Sequence, residues 1–145
     1  MGRILAIDYG KKRVGLATTD PLQLIASALT TVAANETMAY LKAYCDREEV
    51  ERFVVGLPRR WNNDASEVES AIQAFVGRLK KQFPAIPVDR EDERFTSLLA
   101  TRAIRDSGVK KKDRQNKGLV DQVSATIILQ SYLERKNNAP GRPNL

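Results

Sequence analysis

Short apolar runs bounded by glycine, proline or charge alternate along this chain with longer stretches in which apolar residues recur every three or four positions. The runs 3–8 (RILAID) and 13–19 (RVGLATT) read as strands joined by the turn Tyr9-Gly10-Lys11-Lys12. Gly10 supplies a turn conformation that other residues adopt only at a cost, so a hairpin is the natural connection. A third strand is expected within 24–32, where the pattern is weaker, and Asn35 is the expected cap of a helix running to about Glu49. A fourth strand, 52–58 (RFVVGLP), stops at Gly56 and Pro58. Asp64 and Glu67 have capping-box spacing, and Val68, Ala71, Ile72, Phe75, Val76 and Leu79 then form an apolar stripe at helical period. Residues 85–92 (AIPVDRED) read as a fifth strand, Thr96 as the cap of a helix stopped by Gly108, and 118–135 as a last helix. Leu119, Val120, Val123, Ile127 and Ile128 are the expected apolar side of that last helix.

Three leading strands with tight connections suit an antiparallel meander, and the later β-α-β-α-β part suits right-handed parallel crossovers. Joined in one sheet they predict a mixed five-stranded α/β domain, strand order 3-2-1-4-5 with strand 2 antiparallel and helices on both faces. The ribonuclease H-like fold has this element order. Residues 1–136 are expected to form this one domain, with 137–145 a disordered tail.

Composition narrows the chemistry. The 145 residues include no histidine, which removes His-based acid–base catalysis, Ser-His triads and His-ligated zinc. The single cysteine, Cys45, cannot form an internal disulfide, and with Met38 and Leu41 it shares the spacing of a packed helix face. No apolar run approaches the roughly 20 residues that span a bilayer, and the N-terminus lacks a secretory layout, so a cytoplasmic protein is expected. A net charge of +6 and a pI of 9.6 favour a polyanionic partner.

In open α/β sheets ligands collect beyond the carboxyl ends of parallel strands, where the strand order reverses. In the order 3-2-1-4-5 that point lies between the first and fourth strands. Asp8 ends the first strand, Asp92 and Glu93 end the fifth, and Asp121 is expected in the first turn of the last helix, where backbone N–H groups favour a negative charge. One such aspartate can simply bond turn amides. Three acids from distant parts of the chain, gathered at one edge, would repel one another unless a cation neutralised them. Mg²⁺ or Mn²⁺ suits such oxygen donors, and two ions about 4 Å apart could activate a water for phosphodiester cleavage.

At this point the motifs "ILAIDYGKKRVGLA", "VVGLP", "DERFTS" and "LVDQVSATIILQSYL" resemble the YqgF family of Holliday-junction-resolvase-like proteins, described as candidate pre-16S rRNA nucleases. The match runs in order over nearly the whole chain. The resemblance implies a ribonuclease H-like fold, a cytoplasmic metal-dependent nuclease, and Asp8, Glu93 and Asp121 as its catalytic and metal-binding acids. It also implies precursor rRNA as the partner. The chain departs from the pattern after "GLP", where it reads "RRWNNDASE", and at Ser124, in a run that usually holds two alanines. True resolvases can take an acid from the end of the fourth strand, whereas Pro58 and its neighbours offer none, so Glu93 must serve instead.

Basic and hydroxyl side chains surround these acids in the sequence. Lys11, Lys12 and Arg13 could hold phosphates beside Asp8, or form a solvated hairpin tip. Arg94, Thr96 and Ser97 open a helix where free amides and hydroxyls can meet a phosphate, although capping alone explains Thr96 equally well. Lys110, Lys111, Lys112, Arg114 and Lys117 form the densest basic run, a solvated loop that could add salt-dependent affinity. Trp61 beside Arg59 and Arg60 could stack on an unpaired base or close over the core.

Three functions compete on these grounds: a metal-dependent nuclease on structured RNA or branched DNA, a non-catalytic RNA-binding factor in ribosome assembly or transcription, and one lobe of an actin-like ATPase. Cleavage that depends on Asp8 separates the first from the second. ATP binding would mark the third.

Overall fold

The computed structural model describes residues 2–58, 63–92 and 117–137, and its central strand, β1 (Arg3–Tyr9), is buried on both faces. Side-chain parity along that strand organises everything around it. Leu5 and Ile7 join one apolar cluster and Ile4 and Ala6 the other, and all four are fully buried. β1 pairs antiparallel with β2 (Arg13–Thr19) and parallel with β4 (Val50–Leu57). β3 (Ala26–Ala33) and β5 (Val88–Asp92) form the edges, giving the order β3-β2-β1-β4-β5. The expected order, and the antiparallel second strand, are therefore observed.

α1 (Thr37–Arg47) and α2 (Asn63–Gln82) pack on the first face, where Leu41, Tyr44, Ile72, Phe75 and Leu79 close over Leu5, Ile7, Val14 and Leu16. α3 (Lys117–Asn137) covers the opposite face with Ala125, Ile128, Leu129, Tyr132 and Leu133 over Ile4, Ala6, Ala17 and Val54. Helices on both faces follow from a central strand that is apolar at every buried position. Cys45 packs as expected. It is half-buried against the first cluster, and burial pushes its thiol up from the ordinary value.

Several expected boundaries move, each for a local reason. The third strand, expected within 24–32, runs from Ala26 to Ala33, and Asp20 gathers the loop that precedes it. The Asp20 carboxylate accepts from the amides of Leu22, Leu24 and Ile25, while Gln23 turns through φ 59°. Asn35 does not cap a helix but sits in a 3₁₀ turn, Ala34–Glu36, and α1 starts at Thr37, whose hydroxyl donates to the Ala33 carbonyl. α2 already begins at Asn63, so Asp64 is inside it rather than ahead of it. β5 is shorter than the expected 85–92, since Ile86 N–H bonds Phe83 in the turn that leaves α2. In α3 only Ile128 of the five expected apolar residues is fully buried, and the line of contact runs instead through Ala125, Leu129, Tyr132 and Leu133. This helix is apolar on most sides, so periodicity alone could not select the face. Ser124 and Ala125, both small, are buried on that line.

The helix expected from Thr96 to Ser107, Arg59–Trp61, most of the basic run and residues 138–145 lie outside the described residues. Asn137, expected in the tail, ends α3. Among the described residues no helix is long and apolar enough to cross a membrane.

Candidate active site

Asp8 follows Ile4 and Ala6 in parity and so belongs to the α3 side of β1. Directly across the antiparallel ladder stands Gly15. Gly15 is where α3 meets the sheet: a Cβ added there would lie 2.1 Å from the Asp121 carbonyl oxygen and 2.9 Å from the Asp121 Cβ. The missing side chain lets the helix backbone come down onto β2, and this sets Asp121 beside Asp8. Glycine inside a strand pattern commonly marks such an approach, so the signal was present in "RVGLATT" although the strand reading passed over it.

The two aspartates line one open pocket of about 300 Å³, together with Tyr9, Gly10, Lys11, Lys12, Arg13 and Val68. Tyr9, of opposite parity, stacks on Phe75 with ring centroids 4.6 Å apart and anchors the wall of the pocket to α2. The hairpin tip closes through Gly10 N–H donating to the Arg13 carbonyl at 3.1 Å, and a Cβ on Gly10 would sit 2.8 Å from that same oxygen. Close approach, rather than a left-handed backbone, is what demands glycine here.

The basic turn is tied to both flanking helices. Lys11 Nζ donates to Glu67 Oε2 on α2 at 3.1 Å, so Glu67, expected in a capping box, reaches across to the hairpin. Arg13 Nε donates to Asp121 Oδ2 on α3 at 2.5 Å. Asp121 is the fifth residue of α3, one position further in than expected, because the helix already begins at Lys117. It is thus past the free amides of the helix start, and a guanidinium stands against its charge where the macrodipole was expected to act.

Of the sequence-predicted acids, then, Asp8 and Asp121 come together. Glu93 lies outside the described residues, as do Arg94, Thr96, Ser97, Arg59, Arg60, Trp61, Lys110, Lys111, Lys112 and Arg114. Lys117 is placed by its backbone as the first residue of α3, not in the preceding loop. Lys11, Lys12 and Arg13 all reach the pocket. Among the described residues no group of three or more acidic, histidine or cysteine side chains is close enough to hold a metal ion. Asp8 and Asp121, which line the same pocket, nevertheless offer carboxylate oxygens as a donor pair. A hard divalent cation fits it, since Mg²⁺ commonly takes one or two protein carboxylates and completes its shell with water and phosphate.

Arg90 stabilises the other lip of the sheet. Its guanidinium donates to the carbonyls of Val55 and Gly56 at the end of β4 and to both carboxylate oxygens of Glu69 on α2. That contact holds the Glu69 carboxyl below the ordinary range, the Arg90 hydrogen bond being the largest cause. On the α3 side of β5, buried Glu91 accepts from Ser131 and Arg135, and Asp89 accepts from Tyr132 and Arg52. The Tyr132 hydroxyl is pushed up to about 12, first by burial and then by its bond to Asp89. These polar seams fix β5, and hence the point where the chain leaves toward Glu93.

Comparison with known proteins agrees with the resemblance read from the motifs. A family model described as "RuvX: Holliday junction resolvase" matches residues 2–135. A Bacteroides thetaiotaomicron protein named "Putative pre-16S rRNA nuclease" is 57% identical over 136 residues, covering 94% of this chain and 99% of its own length. A Flavobacterium psychrophilum protein of the same name is 52% identical over 136 residues, with coverage of 94% and 99%. Among solved structures, Thermus thermophilus RuvC in complex with a Holliday junction substrate superposes with a TM-score of 0.57 at 17% identity, over 94% of this chain and 96% of that one. Fowlpox virus resolvase with Holliday junction DNA gives 0.55 at 13% identity, over 92% and 98%. At such identities the structural likeness establishes the fold, a ribonuclease H-like sheet of the resolvase type.

Proposed function

The chain belongs to the RuvX family of Holliday junction resolvases, and from that membership we propose that it is a divalent-metal-dependent nuclease that matures the 5′ end of precursor 16S rRNA. The observation that carries the reading is the shared pocket: Asp8 and Asp121, far apart in sequence, line one cleft with the cationic hairpin tip. The names of the relatives, which match this chain almost end to end, point to precursor rRNA as substrate.

In this reading Asp8 and Asp121 hold Mg²⁺ or Mn²⁺, with Glu93, which follows Asp92 in the sequence, as a third ligand. A bound divalent ion supplies a water activated for attack and neutralises charge on the phosphate. The chain's own contribution is placement. Gly15 fixes Asp121 against β2, the β1–β2 ladder fixes Asp8, and Tyr9 on Phe75 keeps the pocket wall in position. Exposed Lys12, at the pocket lip, is set to meet a backbone phosphate. With no histidine in the chain, proton transfer falls to carboxylates and water.

The test is cleavage of labelled precursor rRNA, with a four-way DNA junction in parallel, in Mn²⁺ or Mg²⁺ and in EDTA. The expected result is cation-dependent cutting of the RNA that falls by about 100-fold or more in Asp8→Asn and Asp121→Asn, the scale of removing a preorganised charge from a reacting centre. Wild-type rates in Asp8→Asn would overturn the assignment. Tight RNA binding with no product under any cation would instead establish the non-catalytic binding factor.

A further inference from the structure

We propose that Arg13 is the resident counter-ion of Asp121, that it yields this carboxylate to the divalent ion, and that it then turns to a nucleic-acid phosphate, so that the two ligands favour one another's binding. The inference rests on the reading of the pocket as a cation site.

Four observations carry it. First, Arg13 Nε is bonded to Asp121 Oδ2, one of the two oxygens that Asp121 can offer a cation. A guanidinium there draws on the charge of the carboxylate and repels a divalent ion brought to it, so the two cations compete for Asp121. Second, the Arg13 side chain is 38% exposed and Asp121 20% exposed, so the pair sits at the pocket mouth, where water lowers the cost of parting.

Third, the placement of Asp121 has a source besides Arg13: its backbone packs directly on Gly15, and that contact does not involve the guanidinium. Fourth, only the Arg13 side chain has to move. Its backbone is locked in the ladder opposite Ala33, and its carbonyl accepts from Gly10. A released guanidinium beside exposed Lys12 presents a planar fork of donors that suits a phosphate. Arg13 is thus a positioning and coupling residue, distinct from the acids that would touch the reacting atoms.

Two measurements on the full chain test this. Mn²⁺ is titrated calorimetrically into wild type, Arg13→Gln and Arg13→Lys at low salt. Binding of a labelled RNA hairpin is followed by anisotropy with and without Ca²⁺, a non-activating stand-in. Removing the competing cation should tighten Mn²⁺ binding in Arg13→Gln by about five-fold or more, the lower end of ordinary coupling between sites. RNA binding by that variant should weaken, and the gain in RNA affinity conferred by Ca²⁺ should shrink. Arg13→Lys should retain most of the coupling. A role limited to holding Asp121 in position predicts the opposite, weaker Mn²⁺ binding in Arg13→Gln. That result, or unchanged affinity, overturns the proposal while leaving the metal site standing. Absence of Mn²⁺ binding in every variant overturns the metal site and this inference together.

Discussion

At Gly15 a single added carbon would meet a backbone carbonyl at 2.1 Å, a separation that no relaxation of a flexible side chain can relieve. Alanine there must push α3 away from β2, and overpacking of this kind costs about 1–3 kcal/mol. Gly15→Ala is therefore expected to lower the free energy of unfolding by that amount, read as a lower urea midpoint, and to weaken Mn²⁺ binding, because the same displacement carries Asp121 off the pocket. Wild-type stability and affinity in this variant would refute the role given to the close approach. The contrast with Asp8 is instructive. Its position at the end of an apolar run was plain in "ILAIDYG", since a carboxylate has to leave the buried stretch of a strand. Gly15 in "RVGLATT" marks a close approach, but does not show that the backbone it admits is that of Asp121.

Between elements, Arg90 makes a multiple polar joint, holding the end of β4 and Glu69 of α2 from its place on β5. The Glu69 carboxyl titrates below its ordinary value of 4.5 in the folded protein, chiefly through the Arg90 hydrogen bond. An acid with a lowered folded-state value binds fewer protons folded than unfolded. Its stabilisation is present above about 4.5 and disappears as pH falls through the lower folded value. Glu69→Gln should thus cost about 1.5–3 kcal/mol at neutral pH, the range for hydrogen bonds to charged groups. The difference from wild type should close as pH falls below about 4.5 in urea titrations, and a gap independent of pH would exclude the charge as its origin. This joint was invisible in sequence. Arg90 and Glu69 fall on a strand and a helix that read correctly as elements, but their contact depends on how α2 crosses the sheet.

For the whole molecule, the net charge of +6 sets the expectation for nucleic-acid binding, a salt-sensitive affinity in which each neutralised phosphate releases condensed counter-ions. The run at Lys110, Lys111 and Lys112 is the natural place to look for that contribution. Replacing the three lysines by alanine should make the dependence of log affinity on log salt shallower by about 2 to 3, and leave Mn²⁺ binding unchanged. An unaltered slope would assign those lysines to solvent alone. The two pocket cations already engaged, Lys11 with Glu67 and Arg13 with Asp121, contribute to that slope only when their acids are released.

The order of elements, the mixed sheet and the α2 stripe were legible because each depends on local chemistry: apolar periodicity, glycine and proline stops, and the short reach of a hairpin. Asp8 was legible for the same reason. Tertiary structure alone decided which face of an apolar last helix would be buried, that Asp121 would stand a turn inside it, and that the basic turn would pair with acids on two helices. Periodicity carries no information about contacts between segments distant in sequence. Those are settled by close packing, where one absent side chain at Gly15 determines which backbone can descend and which charges come to share a pocket.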